Sequence, residues 1–383
     1  MRQKRLVTLF YFNDNIAGKD MFLVPKYLSE ALGMECEFVF PKWKENEHLR
    51  GEYRGVKLTA IKSKSRFHST FWTEKAMLWW LICHARRIDV LSLFWLSPRN
   101  LAFAKIYKCL NHKGTCYIKG DISSAAPIQS SIKRKVWDLL ISAVDLLSVE
   151  TEDIYDKIIN GVLGEYLKDH TVLMSNGFDI EMFEQLGIER KGYNEKEKLI
   201  LTVGRIGSSE KNNEMLLSAL DGLNMGDWSC WFVGPVEGEF KTLFEQFIKN
   251  NPDKQAKVQL LGGIYDKRKL WEVYNRSSIF VLTSPKECMA QVFSEALAFG
   301  NYIITTNVQG AIEITDRERL GKIIGLNDTQ ALRASILEVI EGRKDISKIP
   351  IEAIKLSNIK YNWLSLTKIV AERLKRLINE KSN

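Results

Sequence analysis

Two glutamates eight positions apart, Glu287 and Glu295, follow the strand-length apolar run 279–282 and the loop Thr283-Ser284-Pro285-Lys286. The pattern predicts a helix opening near Cys288–Ala290, with Glu287 just before it and Glu295 about two turns inside. Both carboxylates can then face the crevice above a sheet edge, into which the first free N–H groups of the helix also point. Such N–H groups suit a phosphate, and carboxylates suit sugar hydroxyls. Upstream, Leu201-Thr202-Val203-Gly204-Arg205-Ile206-Gly207 closes another strand-like run, and Lys211-Asn212-Asn213 opens the next helix. A guanidinium and an ammonium beside a helix N-terminus make a clamp for a diphosphate.

Several other chemistries find no residues to carry them. The first strand–helix turn reads Asn13-Asp14-Asn15-Ile16-Ala17-Gly18-Lys19-Asp20, without the Gly-x-Gly-x-x-Gly of a dinucleotide site, and no Gly-x-x-x-x-Gly-Lys-Ser/Thr loop occurs anywhere. Gly18 remains a place where backbone can approach a ligand, and Asn15 shares its turn. The six cysteines (Cys36, Cys83, Cys109, Cys116, Cys230, Cys288) stand singly, with no Cys-x-x-Cys pair. Neither a zinc site nor a disulfide framework is supported. No Asp-x-Asp occurs, so fixed cations are expected to do the work that a diphosphate-bound divalent metal does elsewhere; no metal site and no cofactor are expected.

The elements that must position these groups are strands alternating with helices. Strand-like runs fall at 6–12, 37–40, 90–94, 116–119 and 146–149, and again at 199–203, 229–233, 258–261, 279–282 and 302–305. That alternation predicts two α/β domains with parallel sheets, joined near 172–179, where a Lys/Glu-rich stretch (189–198) follows. The expected domains are 1–175, 176–355, and a terminal segment 356–383 whose helix crosses back to the first. With 383 residues, 45% hydrophobic and 27% charged, the chain is long and apolar enough for sizeable cores. Its net charge of +8 is uneven: residues 1–175 carry 26 basic and 19 acidic side chains, leaving the remainder nearly balanced. A basic first half, with Lys62-Ser63-Lys64-Ser65-Arg66 and Arg86-Arg87 flanking Phe67, Phe71, Trp72, Trp79 and Trp80, and with Lys133-Arg134-Lys135 further on, suits an anionic partner. The longest other apolar stretch, 76–83, is far too short to cross a bilayer, and the start shows no cleavage-site pattern. A cytoplasmic protein touching a membrane peripherally is expected.

Further motifs follow in order: Phe232-Val233-Gly234, Leu261-Gly262-Gly263-Ile264 before Leu270-Trp271-Glu272-Val273-Tyr274, and Gln309-Gly310-Ala311-Ile312-Glu313. Together with Val-Gly-Arg, Lys-Asn and the paired glutamates, they make residues from roughly 175 to 340 resemble the nucleotide-sugar-binding domain of GT-B glycosyltransferases of the large retaining family 4. The first half resembles the family more loosely, through the 6–12 run with Gly18, Lys119-Gly120-Asp121, Ser148-Val149-Glu150-Thr151 and Asn176-Gly177-Phe178-Asp179.

The resemblance implies a GT-B fold, two Rossmann-like parallel-sheet domains facing each other across a deep cleft, with the acceptor bound by the first and the donor by the second. It implies that Gly204, Arg205 and Lys211 bind the donor diphosphate, that Glu295 holds the ribose, and that Glu287 contacts donor-sugar hydroxyls. Backbone N–H groups of Met289, Ala290 and Gln291 complete the phosphate site, Ile264 lies beside the base, and Gly18 faces the phosphate. Arg205, Lys211 and Glu287 are the expected catalytic groups. Lys119 and Asp121 fall near a position that touches the donor sugar. The implied reaction moves a sugar, without a metal and with retention, from a UDP- or GDP-linked donor to a carbohydrate or lipid-diphosphate-linked acceptor in cell-surface polysaccharide or glycan synthesis, with no nucleic acid involved. Cys288 and Ala290 stand where the family has smaller residues, which keeps open a non-catalytic partner subunit; another GT-B enzyme, such as a nucleotide-sugar epimerase, is the other alternative.

Overall fold

Runs rich in Val, Ile, Leu and Phe without polar alternation form strands buried on both faces, which parallel sheets under helical layers require. The computed structural model describes residues 2–14, 16–63, 71–127 and 130–382. The chain divides into Met1–Ser175 with Trp363–Asn383, and Asn176–Asn362. Asn15, Phe67 and Lys64-Ser65-Arg66 lie outside the described residues.

The first unit contains β1 (Arg5–Leu9), α1 (Asp20–Leu32), β2 (Glu35–Pro41), β3 (Gly51–Tyr53), β4 (Val56–Ile61), α2 (Phe71–His84), β5 (Val90–Phe94), α3 (Pro98–Leu110), β6 (Thr115–Lys119), α4 (Ser131–Ile141), β7 (Leu146–Val149), α5 (Glu152–Ile159) and β8 (Thr171–Leu173). Its sheet order is β3-β4-β2-β1-β5-β6-β7-β8, parallel except for the β3–β4 pair. The order reverses between β1 and β5, the switch point of a doubly wound sheet. The 6–12 run keeps strand pairing only through Leu9. Beyond it, Phe12 packs among Phe22, Phe38 and Phe40.

The second unit contains α6 (Ile180–Leu186), β9 (Leu199–Val203), α7 (Asn213–Leu220), β10 (Ser229–Val233), α8 (Gly238–Asn250), β11 (Val258–Gly262), α9 (Lys267–Arg276), β12 (Ile279–Leu282), α10 (Gln291–Ala298), β13 (Tyr302–Thr306), α11 (Ala311–Ile314), β14 (Gly321–Ile324), α12 (Thr329–Ile340) and α13 (Ile349–Lys360). All five pairings in the order β11-β10-β9-β12-β13-β14 are parallel. Its switch point lies between β9 and β12, the two strands that lead into Arg205 and Glu287.

The last helix, α14 (Trp363–Ser382), belongs to the first unit. Where the sequence reading ends the second domain at 355, α13 runs on to Lys360. The Phe178–Asn362 bridge and the Tyr361 hydroxyl, donating to the Glu313 carbonyl at 3.0 Å, tie 361–362 to the second unit. The crossing therefore starts at Trp363.

Candidate functional site

In the second unit the strand ends are shaped by glycine. Gly204 N–H donates to the Val233 carbonyl at 3.0 Å and Gly234 N–H to the Gly262 carbonyl at 2.8 Å. Gly234 has φ +145°, and a Cβ there would lie 1.6 Å from the Gly204 carbonyl oxygen. No other residue fits, because L side chains avoid that φ and the carbonyl belongs to rigid backbone.

Past Gly204 the chain makes a tight loop. The Ser208 hydroxyl donates to the Arg205 carbonyl at 3.1 Å, Lys211 N–H to the Ser208 carbonyl at 2.8 Å, and Gly207 N–H to the Asn213 side chain at 2.9 Å. This loop sends the Lys211 stem past Gly204, where an added Cβ would sit 3.6 Å from three of its methylenes. From the neighbouring strand end, the Thr283 hydroxyl donates to the Lys211 carbonyl at 2.9 Å.

The consequence is an ion pair across the switch point: the Lys211 ammonium meets Glu287 Oε1, which also accepts from the Ser284 hydroxyl at 2.6 Å. Both side chains are mostly buried, at 21% and 15% exposure, so the pair is less screened than a surface one.

Arg205 is not part of this group. Its guanidinium pairs with Glu210, and both side chains are more than half exposed. Arg205 leaves the same end of β9, but its flexible exposed side chain takes the nearest acid, five residues on.

Helix α10 opens at Gln291, capped by Ala290, rather than near 288–290, which puts Glu295 one turn inside rather than two. Met289 and Ala290 are buried, and their N–H groups donate to no acceptor among the described residues. The loop is pinned from below, since the Asn176 side chain donates to the Met289 carbonyl at 2.6 Å and Met289 Sδ fills the space where Gly310, at φ +79°, lacks a Cβ. Glu295, 5% exposed, is held by the Lys267 ammonium and by Trp271 Nε1 at 3.1 Å, both on α9. Sequence reasoning misses Lys267 as its partner; the signal is the Asp266-Lys267-Arg268-Lys269 start of α9, whose cap side chain accepts from Lys269 N–H at 2.9 Å. Ile264 is half-buried just past β11 and packs on the core of the second unit.

Two expected residues belong to the first unit. Gly18 lies in the β1–α1 turn, and a Cβ there would meet nothing within 4 Å, so the fold itself does not demand glycine. Lys119, at the end of β6, is buried with Glu150, which follows β7, and with Asp20 at 2.9 Å on the first turn of α1. Burial alone would push the Lys119 ammonium down, but the two carboxylates outweigh it and hold it above its ordinary value. Burial pushes the Glu150 carboxyl up to about 7, with Lys119 opposing and Asp121 and Asp20 adding. Glu150 Oε2 is buried and has no hydrogen-bond partner among the described residues.

The fold is that of the GT-B glycosyltransferases. Solved structures similar to it include Anabaena HepE in complex with UDP (15% identity, TM-score 0.68, covering 97% of this chain and 100% of that one) and sucrose-phosphate synthase from Thermosynechococcus elongatus (15%, TM-score 0.73, 99% and 100%). A glycosyltransferase from Rickettsia africae is also similar (16%, TM-score 0.74, 99% of each chain). Residues 185–355 match the family model described as Glycosyl transferases group 1, and this stretch holds Arg205, Lys211, Glu287 and Glu295. The capsular polysaccharide biosynthesis glycosyltransferase CapM of Staphylococcus aureus is 27% identical over 215 residues, 52% of this chain and 53% of that protein; the match spans about half the length of this curated relative.

Proposed function

We propose that this chain is a glycosyltransferase that moves a sugar from a nucleoside-diphosphate donor, UDP- or GDP-linked, to a saccharide or lipid-linked saccharide acceptor in polysaccharide or glycan assembly. The observation that carries the proposal is the Lys211–Glu287 pair at the switch point of the second unit, inside the stretch that matches the family model. HepE, solved with UDP, and the capsular relative CapM support the donor class and the setting.

In this reading the Lys211 ammonium and the partnerless Met289 and Ala290 N–H groups receive the donor diphosphate, and its arrival draws the exposed Arg205 guanidinium away from Glu210. As the bond from the anomeric carbon to the phosphate oxygen breaks, its electron pair goes to that oxygen, and these donors stabilise the charge where it develops. The acceptor oxygen enters on the face the phosphate leaves, so configuration is retained, and its proton passes to the departing phosphate. Glu287, one oxygen fixed by Lys211 and Ser284, orients the sugar through its hydroxyls, and Glu295 holds the ribose. Because the cations are supplied by side chains, no divalent metal is required. In this reading the transfer takes place at the cytoplasmic face of a membrane.

A panel of UDP- and GDP-sugars tests this by thermal shift and by donor turnover, with and without a chelator. Stabilisation by one donor class, unchanged by the chelator, is the expected result. Indifference to every nucleotide sugar overturns the reading, and dependence on added metal overturns its metal-free chemistry.

A further inference from the structure

Helix α9 opens with Lys267-Arg268-Lys269, three cations on a first turn that holds no acid. Cations are disfavoured at that end of a helix, where the macrodipole is positive, so the charge of Lys267 is not explained by its own helix. Its partner comes from another element. Lys267, Trp271 and Tyr274 recur at i, i+4 and i+7, which sets them in one stripe of α9, and all three bear on Glu295 of α10. The Lys267 ammonium and Trp271 Nε1, the latter at 3.1 Å, both donate to Glu295 Oε1. Trp271 also steadies the cation, whose nitrogen lies 5.1 Å from the ring centre. Burial first, and the Glu295 carboxylate next, push the Tyr274 hydroxyl well above its ordinary value. Glu295 Oε2 accepts from no described residue, yet it is not sealed from solvent. The same loading recurs at Glu287, where Lys211 and Ser284 both donate to Oε1 and no described residue donates to Oε2.

We propose that Lys267 is a positioning residue that turns Glu295 so that Oε2 meets a ribose hydroxyl of the donor nucleotide, and that it thereby makes the site selective for ribonucleotides over deoxyribonucleotides. A carboxylate has two equivalent oxygens and can present either of them in more than one rotamer. Two donors on one helix, converging on one oxygen, remove that freedom. They leave the other oxygen as an acceptor that the protein does not satisfy. A ligand hydroxyl fills that role with a charge-assisted hydrogen bond. A sugar lacking the hydroxyl leaves the carboxylate oxygen covered and without a partner, and sites built to bind a hydroxyl reject such analogues strongly. The indole N–H alone does not suffice, because a carboxylate taken out of water with no cation beside it is costly and turns toward solvent when it can. The inference rests on the reading that Glu295 holds the ribose of a nucleoside-diphosphate donor. It goes beyond that reading by assigning Lys267, which acts through Glu295.

Calorimetric binding of UDP and GDP to the full chain, beside their 2′-deoxy and 3′-deoxy forms, tests it. One ribonucleotide is expected to bind wild type about tenfold or more tighter than at least one of its deoxy forms. K267M is expected to bring that ratio to within about twofold, with the ribonucleotide bound about tenfold more weakly and the deoxy form little changed. K267R keeps a cation and should restore the preference. E295A should lose it, and adding K267M to E295A should change it no further, because the two side chains act as one unit. A role in folding alone would weaken every form together and leave the ratio as in wild type, which overturns the proposal while the donor reading stands. Wild type that binds a nucleotide without distinguishing its deoxy forms overturns both the proposal and the role of Glu295. Binding of neither ribonucleotide overturns the donor reading itself, and the proposal with it.

Discussion

Removing the ammonium of Lys211 takes from Glu287 its half-buried cation partner and leaves the Ser284 hydroxyl on that carboxylate among the described residues. Lys211→Ala is expected to lower donor turnover by about two orders of magnitude, the usual cost of losing one charge-stabilising donor, with the loss in kcat rather than in KM alone. Glu210→Ala, which frees Arg205 from an exposed pair, should leave the melting temperature nearly unchanged, since such pairs contribute about 1 kcal/mol or less. Equal losses of turnover in both variants would refute the separation of the two cations. A second prediction concerns Glu150. Its folded carboxyl titrates near 7, above the ordinary 4.5, so between those values the folded chain holds more protons than the unfolded one and stability falls as pH rises. Urea unfolding of wild type and Glu150→Gln across pH 4.5 to 7.5 should show that slope only in wild type, and parallel curves would rule it out. Lys211 and Glu287 are legible in the sequence because each sits at a strand end beside a glycine or a loop, where type alone suggests a role. The Lys267–Glu295 pair, 28 residues apart and joined only by the packing of α9 on α10, is not.

At the scale of elements, the strands that pair on both sides are readable from their unbroken apolar runs, and 90–94, 146–149, 199–203, 229–233 and 279–282 coincide with β5, β7, β9, β10 and β12. Strand β3 escapes because it is three exposed residues at the edge of the sheet, and β4, although paired on both sides, because it buries Val56 and Leu58 but exposes Lys57 and so lacks an unbroken apolar run. The opening of α10 is misplaced because Cys288 to Ala290 are apolar enough to continue a helix, yet the Asn176 side chain and the gap at Gly310 hold Met289 in a bend, and Ala290 is extended. Two glycines then make opposite predictions. Gly234→Ala forces a Cβ into the Gly204 carbonyl at a left-handed φ and should cost several kcal/mol, about 3 or more, by thermal or urea unfolding. Gly18→Ala meets no atom within 4 Å and should leave stability within about 1 kcal/mol of wild type. A stable Gly234→Ala would mean that the strand ends of β9 and β10 are looser than their hydrogen bonds imply. Reduced donor turnover in a fully stable Gly18→Ala would assign that glycine to ligand approach rather than to the fold.

The whole chain is two hydrophobic systems that the sequence order does not separate cleanly, because the last helix returns to the first unit. One core fills the second unit entirely from residues between Phe178 and Tyr361. The sheet of the first unit has a core on each face, one of them built under α2 to α5 and the other under α1 with α14. In that second core Trp363, Leu366, Val370, Leu374 and Ile378 pack with Phe22, Leu23 and Tyr27. Burying each such side chain contributes about 1.5–3 kcal/mol, so together they rival the 5–15 kcal/mol by which a typical domain is stable. Further ties hold the helix end: Lys381 reaches Asp145 at 2.6 Å, which also takes Lys108 at 3.2 Å, and Arg373 donates to the Asp169 carbonyl at 2.8 Å. Ending the chain after Asn362 therefore removes a wall of the first unit while leaving every core residue of the second in place. Calorimetry of the 1–362 chain should show the transition of the second unit near its wild-type temperature and the first unit unfolded or melting at least about 10 °C lower, as a loss of several kcal/mol in a domain this size requires. A fragment of residues 176–362 should melt cooperatively by itself with the same midpoint. Two unshifted transitions in 1–362 would show that α14 is an accessory to the first core rather than part of it. Collapse of the second transition would show that the two units do not fold as separate bodies.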